Sequence, residues 1–138
     1  MESTTPFNPF ETTNPLLAGL HREADAIQSY MDRPATLQDP ASLTYRLNDM
    51  DVYMARLSDI LIRAKALRDR AQNSFLEANE DKLSKMKATA SNRLINAYLY
   101  EYKIAYDRLE TMYHTLEVLA RNLVTEISYI KEQMRNGL

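Results

Sequence analysis

Residues 94–134, LINAYLYEYK IAYDRLETMY HTLEVLARNL VTEISYIKEQ M, decide the fold of this 138-residue chain. Apolar residues recur there in steps of three and four, the spacing of one face of an α-helix. The members of this ladder are Leu94, Tyr98, Tyr102, Ala105, Leu109, Met112, Leu116, Leu119, Leu123, Ile127, Ile130 and Met134. Gly137 follows it and suits a helix C-terminal cap. The pattern predicts a helix over about 92–135, roughly 65 Å long.

A second ladder occupies the middle of the chain. Its apolar residues rise in alternating steps of four and three, which is the seam of a coiled coil, and they are Leu43, Leu47, Met50, Met54, Leu57, Leu61 and Ala64. The ladder predicts a helix over about 40–77. The polar segment 79–91 joins the two long helices, so we expect them to fold back and cover each other's seams. We also expect a short helical turn in this connection, with Thr89 or Ser91 capping the last helix.

Asn14-Pro15 and Asp39-Pro40 mark two helix starts, because each pairs an N-cap side chain with a proline at the first helical position. The first of these predicts a shorter helix over about 15–31, which Pro34 ends, since the residue before a proline avoids helical backbone angles. The sequence therefore predicts an all-α fold. It consists of a long antiparallel helical hairpin, coiled-coil-like, with an additional N-terminal helix that completes a three-helix bundle.

Residues 1–13 are predicted to form a flexible N-terminal arm, and residues 14–138 a single helical domain. The arm contains two prolines and four threonines but few periodic apolar residues. Phe7 and Phe10 of the arm either dock on a partner, pack on the protein's own surface or stay free.

Composition argues against several kinds of chemistry. The chain has no cysteine, and its only glycines, at positions 19 and 137, cannot build a P-loop or a dinucleotide-binding fingerprint. Glu110 and His114 are spaced to share a helical face, but no second Glu/His pair completes a di-metal site. No serine lies in a Gly-x-Ser-x-Gly elbow. We expect a protein that is not an enzyme and binds no metal or cofactor.

The termini and the apolar runs bear on localisation. The N-terminus has no basic region followed by an apolar core, as a secretory signal would. No stretch approaches the roughly 18 apolar residues of a membrane span. We expect a cytoplasmic protein with no membrane association.

Further apolar residues lie off the main seam of the last helix. They are Ile95, Leu99, Ile104, Val118 and Val124. An apolar band this wide needs more than one partner helix. Self-association would cover it, so we expect a homo-oligomer, and packing of the first helix on the band is the alternative.

The basic residues are concentrated in the middle of the chain. The net charge is +4 over residues 56–93, against −5 over 1–55 and −1 over 94–138. The candidate nucleic-acid-binding residues are Arg56, Arg63, Lys65, Arg70, Lys82, Lys85, Lys87 and Arg93. Such arrays bind phosphate backbones, and nearby tyrosines can stack on unpaired bases. The alternatives are a solvated helix face with ion pairs to Asp59 and Asp69, and core positions for Tyr98 and Tyr102.

Several stretches resemble small helical proteins of phages and of mobile elements of gut bacteria. These stretches are Val52-Tyr53-Met54-Ala55-Arg56, Ala64-Lys65, Lys82-Leu83-Ser84, Leu116-Glu117-Val118-Leu119-Ala120-Arg121 and Ile127-Ser128-Tyr129-Ile130-Lys131-Glu132-Gln133-Met134. Over roughly residues 45–135 the layout is similar to the recombination mediator of T-even phages.

The resemblance implies a short, helical, oligomeric protein that binds single-stranded DNA. Such a protein helps to load a recombinase while it displaces the single-strand binding protein. The mediators' basic residues would correspond to Arg56, Arg63 and Lys65. The chain departs from this pattern in its acidic N-terminal part and in its pI of about 5.7.

Two hypotheses about function follow. In the first, the chain is a non-enzymatic accessory protein of recombination or replication, which binds single-stranded DNA through the basic hairpin tip and a protein partner through its helical flanks. In the second, it is a protein-only interaction module: a virion component, an adaptor or an inhibitor of a host system.

Overall fold

The computed structural model describes residues 6–33 and 39–137, and within these ranges the chain forms four helices and no strand. The helices are α1 (Pro15–Met31), α2 (Pro40–Ala78), α3 (Glu80–Ser84) and α4 (Ala88–Arg135). The predicted all-α hairpin with an additional N-terminal helix is confirmed. The bounds predicted for α1 match the structure, and α2 ends one residue later than predicted.

Side-chain caps explain where α1 and α2 begin. The Asn14 Oδ1 accepts hydrogen bonds from the backbone N–H groups of Leu16 and Leu17 at 3.0 and 3.3 Å. Asp39 accepts the backbone N–H of Ser42 at 3.0 Å and its hydroxyl at 2.7 Å. These hydrogen bonds from Ser42 lower the pKa of Asp39 below its usual value. Each cap satisfies N–H groups that have no partner inside the helix.

The start of α4 differs from the prediction. The helix begins at Ala88, and Lys87 precedes it with extended backbone angles and no side-chain capping bond. The predicted cap at Thr89 or Ser91 is therefore wrong, because both residues lie inside the helix, where the Ser91 hydroxyl donates to the Ala88 carbonyl at 3.0 Å. No glycine or proline interrupts this stretch, so the helix extends back to the turn that follows α3. At its other end Gly137 adopts a φ of 74°, as predicted for a C-terminal cap.

The core lies between α2 and α4, which pack against each other as an antiparallel hairpin. Near the closed end, the Phe75 ring of α2 stacks on the Tyr98 ring of α4, with 4.4 Å between centroids. Leu57, Leu109 and Leu116 of the two helices are almost fully buried. Burying each such leucine contributes about 1.5–3 kcal/mol.

α1 lies over the middle of the hairpin. Near its end, the Tyr30 ring stacks on Tyr53 of α2, with 4.2 Å between centroids. At its start, Asn14 Nδ2 donates to the Tyr102 hydroxyl of α4 at 2.9 Å. The bundle therefore has three helices between these contacts, whereas the closed end of the hairpin extends beyond α1.

In the first turns of α4, the residue that is buried against α2 is not the one that the ladder predicted. Tyr98 is 46% exposed, whereas Leu99 is only 9% exposed. Tyr98 is seven residues before the buried Ala105, so the two residues lie within about 20° of each other around a helix of 3.6 residues per turn. The helical period alone therefore does not explain the exposure of Tyr98, which depends on how α2 and α4 pack near the closed end.

The apolar residues of α4 that lie off its main seam differ in how far they are buried. Leu99 is buried, Ile95 and Ile104 are half-buried, and Val118 and Val124 are exposed. The bundle therefore covers only part of this band. The homo-oligomer stays a prediction, with Val118 and Val124 as residues that it would cover.

Candidate nucleic-acid interface

The hairpin tip, which we define as residues 79–100, contains four of the predicted binding residues. α2 ends at Ala78, and Asn79 caps it, with a side-chain Nδ2 that donates to the Phe75 carbonyl at 2.8 Å. The single short helix α3 and a three-residue turn then reverse the chain into α4. The tip cations, as we call them, are Lys82 on α3, Lys85 and Lys87 in the turn, and Arg93 on α4, and all are exposed.

The tip cations have no ion-pair partner in the part of the chain that the structure describes. None of them lies within 4 Å of a carboxylate oxygen of residues 6–33 or 39–137. The tip as defined holds these four cations and two carboxylates, Glu80 and Asp81, so it has a net positive charge. Unpaired exposed cations leave their charge available to a phosphate, which releases counterions when it binds.

Aromatic rings flank the tip cations on α4. Tyr98 stacks on Phe75 and keeps 46% of its surface exposed, and Tyr100 is exposed as well. The interpretation of Tyr98 as a core residue is therefore wrong. Tyr102 is half-buried, since its hydroxyl accepts the hydrogen bond from Asn14. Tyr98 and Tyr100 are two residues apart and therefore project roughly 200° away from each other around α4. Each ring is thus available to an unpaired base on its own side of the helix.

Arg63 lies in different surroundings, on the flank of α2 that faces α1. Its Nη2 donates to Glu23 Oε1 of α1 at 2.9 Å, and its Nε donates to Asp59 Oδ2 at 3.2 Å. The hydrogen bond to Glu23 raises the pKa of Arg63 above its usual value. Two carboxylates thus neutralise this guanidinium, as in the alternative of a helix face with ion pairs.

The eight predicted residues do not form one surface. Arg56 and Arg70 lie seven residues from Arg63 on either side, so they share its flank of α2. Lys65 is two residues from Arg63 and therefore projects roughly 200° away around the helix. The structure divides the predicted set into the tip cations, a group of three arginines beside α1, and Lys65 alone.

An open groove runs between α1 and α2, and we call it the α1–α2 groove. It has two parts, of about 600 and 360 Å³, and the ion-paired residues Glu23 and Arg63 line both of them. Arg56 lines the first part, and Arg70 lines the second. Asp59 lines the first part as well. The remaining lining residues are apolar or small, and include Leu16, Gly19, Ala26, Val52, Ala55 and Ala66.

A polar cluster that the sequence patterns did not predict holds the arm against the bundle. Arg108 of α4 donates to Asp25 Oδ1 at 2.6 Å and to His21 Nδ1 at 3.0 Å. The Phe10 ring stacks on His21, with 5.2 Å between centroids, and Arg108 Cζ lies 4.2 Å from the Phe10 centroid. Burial, followed by the charge of Arg108, lowers the pKa of His21. Phe10 therefore packs on the protein's own surface, whereas Phe7 is exposed.

The described residues offer no metal centre. No three side chains of His, Asp or Glu in residues 6–33 and 39–137 form a group that could hold a metal ion. His114 is exposed, and its Nδ1 lies 4.0 Å from Glu117 Oε1. No helix in the same ranges combines the length and the apolar character needed to cross a membrane.

Comparisons of the chain with protein-family models, with curated protein sequences and with solved structures find no match. The chain's own residues and geometry are therefore the basis for functional inference.

Proposed function

We propose that this protein is a non-enzymatic accessory protein that binds single-stranded DNA through its hairpin tip. One observation carries the proposal. The tip cations are exposed and unpaired with any described carboxylate, and they lie in the same tip as the exposed rings of Tyr98 and Tyr100. In single-strand sites, cations neutralise the phosphates while aromatic rings stack on the bases.

The rings favour a single strand over a duplex. In a duplex the faces of the bases are covered by their neighbours, so Tyr98 and Tyr100 would have no base face to stack on. The net charge of the whole chain is −2, and the pI is about 5.7. Attraction to DNA is therefore local to the tip, and we expect binding that weakens steeply with salt.

The narrower role that we propose is recombination or replication in a phage or mobile element, inside the cytoplasm. The resemblance of residues 45–135 to phage recombination mediators supports this role and suggests a recombinase as the protein partner. Self-association would strengthen binding, because several tips joined in one oligomer bind one strand with a high effective concentration. The exposed Val118 and Val124 are consistent with such an oligomer.

A protein-only interaction module is the second candidate. The α1–α2 groove favours it, because its arginine at position 63 is already paired with carboxylates and its lining is largely apolar. This candidate predicts no binding to DNA and a stable complex with a phage or host protein.

The test is a titration of a labelled single-stranded oligonucleotide, followed by fluorescence anisotropy at several salt concentrations. The variant Lys82→Gln/Lys85→Gln/Lys87→Gln removes three tip charges. The matched control, Arg121→Gln/Lys131→Gln/Arg135→Gln, removes the same charge from exposed positions towards the far end of α4. Light scattering on each sample gives the mass of the complex.

We expect micromolar or tighter binding by the wild type at low salt. The tip variant should lower the slope of log K against log salt by about 2, since each lost phosphate contact on a single strand contributes roughly 0.7. The control should bind like the wild type. Equal losses in both variants would point to overall charge instead of a site, and no binding at low salt would leave the protein-only module as the better proposal.

A further inference from the structure

We propose that the α1–α2 groove binds an amphipathic helix of a partner protein, and that this helix carries acidic side chains near both ends of its docking face. The inference does not depend on DNA binding at the tip, because no tip cation lines the groove. It names the chemistry that a protein partner would need.

The shape of the groove suits a helix. A fourth helix laid between α1 and α2 would continue the packing of the bundle into four helices. The groove is lined by the small exposed side chains of Ala26, Ala55 and Ala66. Small side chains let the backbone of a docking helix approach closely. Val52 in the first part and Leu16 in the second are exposed, and they offer the apolar contact on which helix-in-groove binding depends.

Gly19 is a separate sign of close approach. Glycine in a helix interior costs roughly 0.5–1 kcal/mol relative to alanine. Beyond the backbone of α1, the one described atom within 4 Å of a Cβ placed there is Arg22 Nη2, at 3.7 Å. Contacts within the described bundle therefore do not require glycine at this position. A partner that packs against the wall of the groove would require it.

The charges of the groove specify its occupant. At its centre, Glu23 and Asp59 neutralise Arg63, so the middle of the groove has no free cation to offer. In each half, an arginine, Arg56 or Arg70, has no carboxylate within 4 Å among residues 6–33 and 39–137. The groove is thus positive towards both ends, whereas the two carboxylates and one guanidinium at its centre leave one excess negative charge there.

This pattern gives the spacing of the partner's acidic residues. Arg56 and Arg70 are fourteen residues apart, which is about 21 Å along a straight helix. A docking helix matches both arginines with two acidic side chains fourteen residues apart and with small or apolar residues between them. A phosphate backbone fits less well, because Glu23 and Asp59 would repel it at the centre of the groove.

The probes are two labelled peptides of 21 residues, each built as one amphipathic helix with alanine and leucine on one face and glutamine on the other. One carries Glu at its positions 4 and 18, and the other carries Lys at the same positions. Both are titrated into the wild type and into the charge-reversed variant Arg56→Glu/Arg70→Glu. The control variant Arg121→Glu/Lys131→Glu makes the same change of charge on α4. Thermal unfolding checks that each variant folds.

We expect the Glu peptide to bind the wild type about tenfold more tightly than it binds Arg56→Glu/Arg70→Glu, as two partly exposed ion pairs would give. The Lys peptide should show the reverse preference, and the control variant should behave like the wild type. A second variant, Ala55→Gln/Ala66→Gln, fills the groove at exposed positions and should weaken both peptides.

Three results would overturn the proposal. The first is that neither peptide distinguishes the wild type from the charge-reversed variant. The second is a homodimer in light scattering that the charge-reversed variant breaks, because the groove would then hold a second copy of the chain. The third is loss of single-stranded DNA binding in the charge-reversed variant, because the groove would then belong to nucleic acid. Each result is separate from loss of DNA binding in the tip variant.

Discussion

The three-helix middle of the bundle and its two-helix tip use basic residues in opposite ways. In the middle, Arg63 and Arg108 each contact a carboxylate of α1, at 2.9 and 2.6 Å. At the tip, Lys82, Lys85 and Lys87 are exposed and have no carboxylate partner among the residues that the structure describes. The middle has a third helix that brings acidic side chains to the arginines, whereas the tip lies beyond its reach.

This difference separates cations that support the fold from cations that remain available to a ligand. The Arg108 side chain is only 10% exposed, so it needs its partners, because a buried charge without a partner is costly. An exposed lysine keeps its hydration and contributes little to the free energy of unfolding. The tip can therefore change its charge with little effect on the fold, whereas loss of the buried Arg108 from the middle should destabilise it.

The largest expected contrast concerns the core. Leu57 of α2 is fully buried in the core, whereas Leu83 of α3 at the tip is half-buried. Leu57→Ala should lower the free energy of unfolding by about 3 kcal/mol, because it leaves a cavity that the helices cannot close. Leu83→Ala should lower it by less than about 1 kcal/mol. Urea denaturation followed by circular dichroism measures both, and equal losses would show that the tip is as tightly packed as the middle.

The second contrast concerns two arginines of α4. Arg108→Met should cost about 2 kcal/mol, since it removes hydrogen bonds to Asp25 and His21 and leaves the latter's buried nitrogen unpaired. Arg93→Met at the exposed tip should cost less than about 0.5 kcal/mol. The same denaturation experiment compares them. A small loss for Arg108→Met would mean that the cluster around Phe10 does not support the bundle.

The third prediction concerns the pH dependence of the middle. Burial and then the charge of Arg108 lower the pKa of His21. The carboxylates of Asp25 and Glu101 also face it and oppose this shift only in part. Below the ordinary histidine pKa of about 6.5, the unfolded chain binds a proton that the folded chain does not yet bind. The free energy of unfolding should therefore fall as the pH drops from 6.5 through the lowered pKa of His21 in the folded state.

His21→Gln is the matched variant for this prediction, because glutamine can still accept from Arg108 but does not titrate. The free energy of unfolding, measured from pH 8 to pH 5, should fall more steeply in the wild type than in this variant. Identical pH profiles would show that His21 takes up its proton as easily in the folded state as in the unfolded one. The tip has no histidine, so its contribution to the free energy of unfolding should not change between pH 8 and pH 5.

Features that depend on local sequence were predictable. Asn14-Pro15 and Asp39-Pro40 each fix a helix start through bonds within three residues of the cap, and the structure has both. The long ladders predicted the hairpin, because a helix 39 or 48 residues long must cover its apolar seam. The capping signal before Ala88 is weak, and the predicted start of α4 was wrong by four residues.

Features that depend on residues far apart in the chain were not predictable. Glu23 and Arg63 are forty residues apart, so their ion pair at the centre of the groove follows only from the packing of α1. The cluster of Arg108 with His21 spans eighty-seven residues. A local signal for His21 did exist, since it lies four residues after the buried Leu17 and three before the buried Ala24 on α1. The exposure of Tyr98 could not be predicted either, because it depends on the register in which α2 and α4 pack.

The smallest expected effect on stability is the most direct test of the contrast between middle and tip. Lys82→Gln/Lys85→Gln/Lys87→Gln should change the free energy of unfolding by less than about 0.5 kcal/mol, although it removes three charges. Arg63→Gln removes one charge but should cost about 0.5–1 kcal/mol, because it breaks two ion pairs that solvent partly screens. If the triple variant proves the more destabilising, its lysines make contacts that support the fold, and they are then not free for DNA. If its stability is unchanged while DNA binding falls, the tip contributes to binding and not to folding.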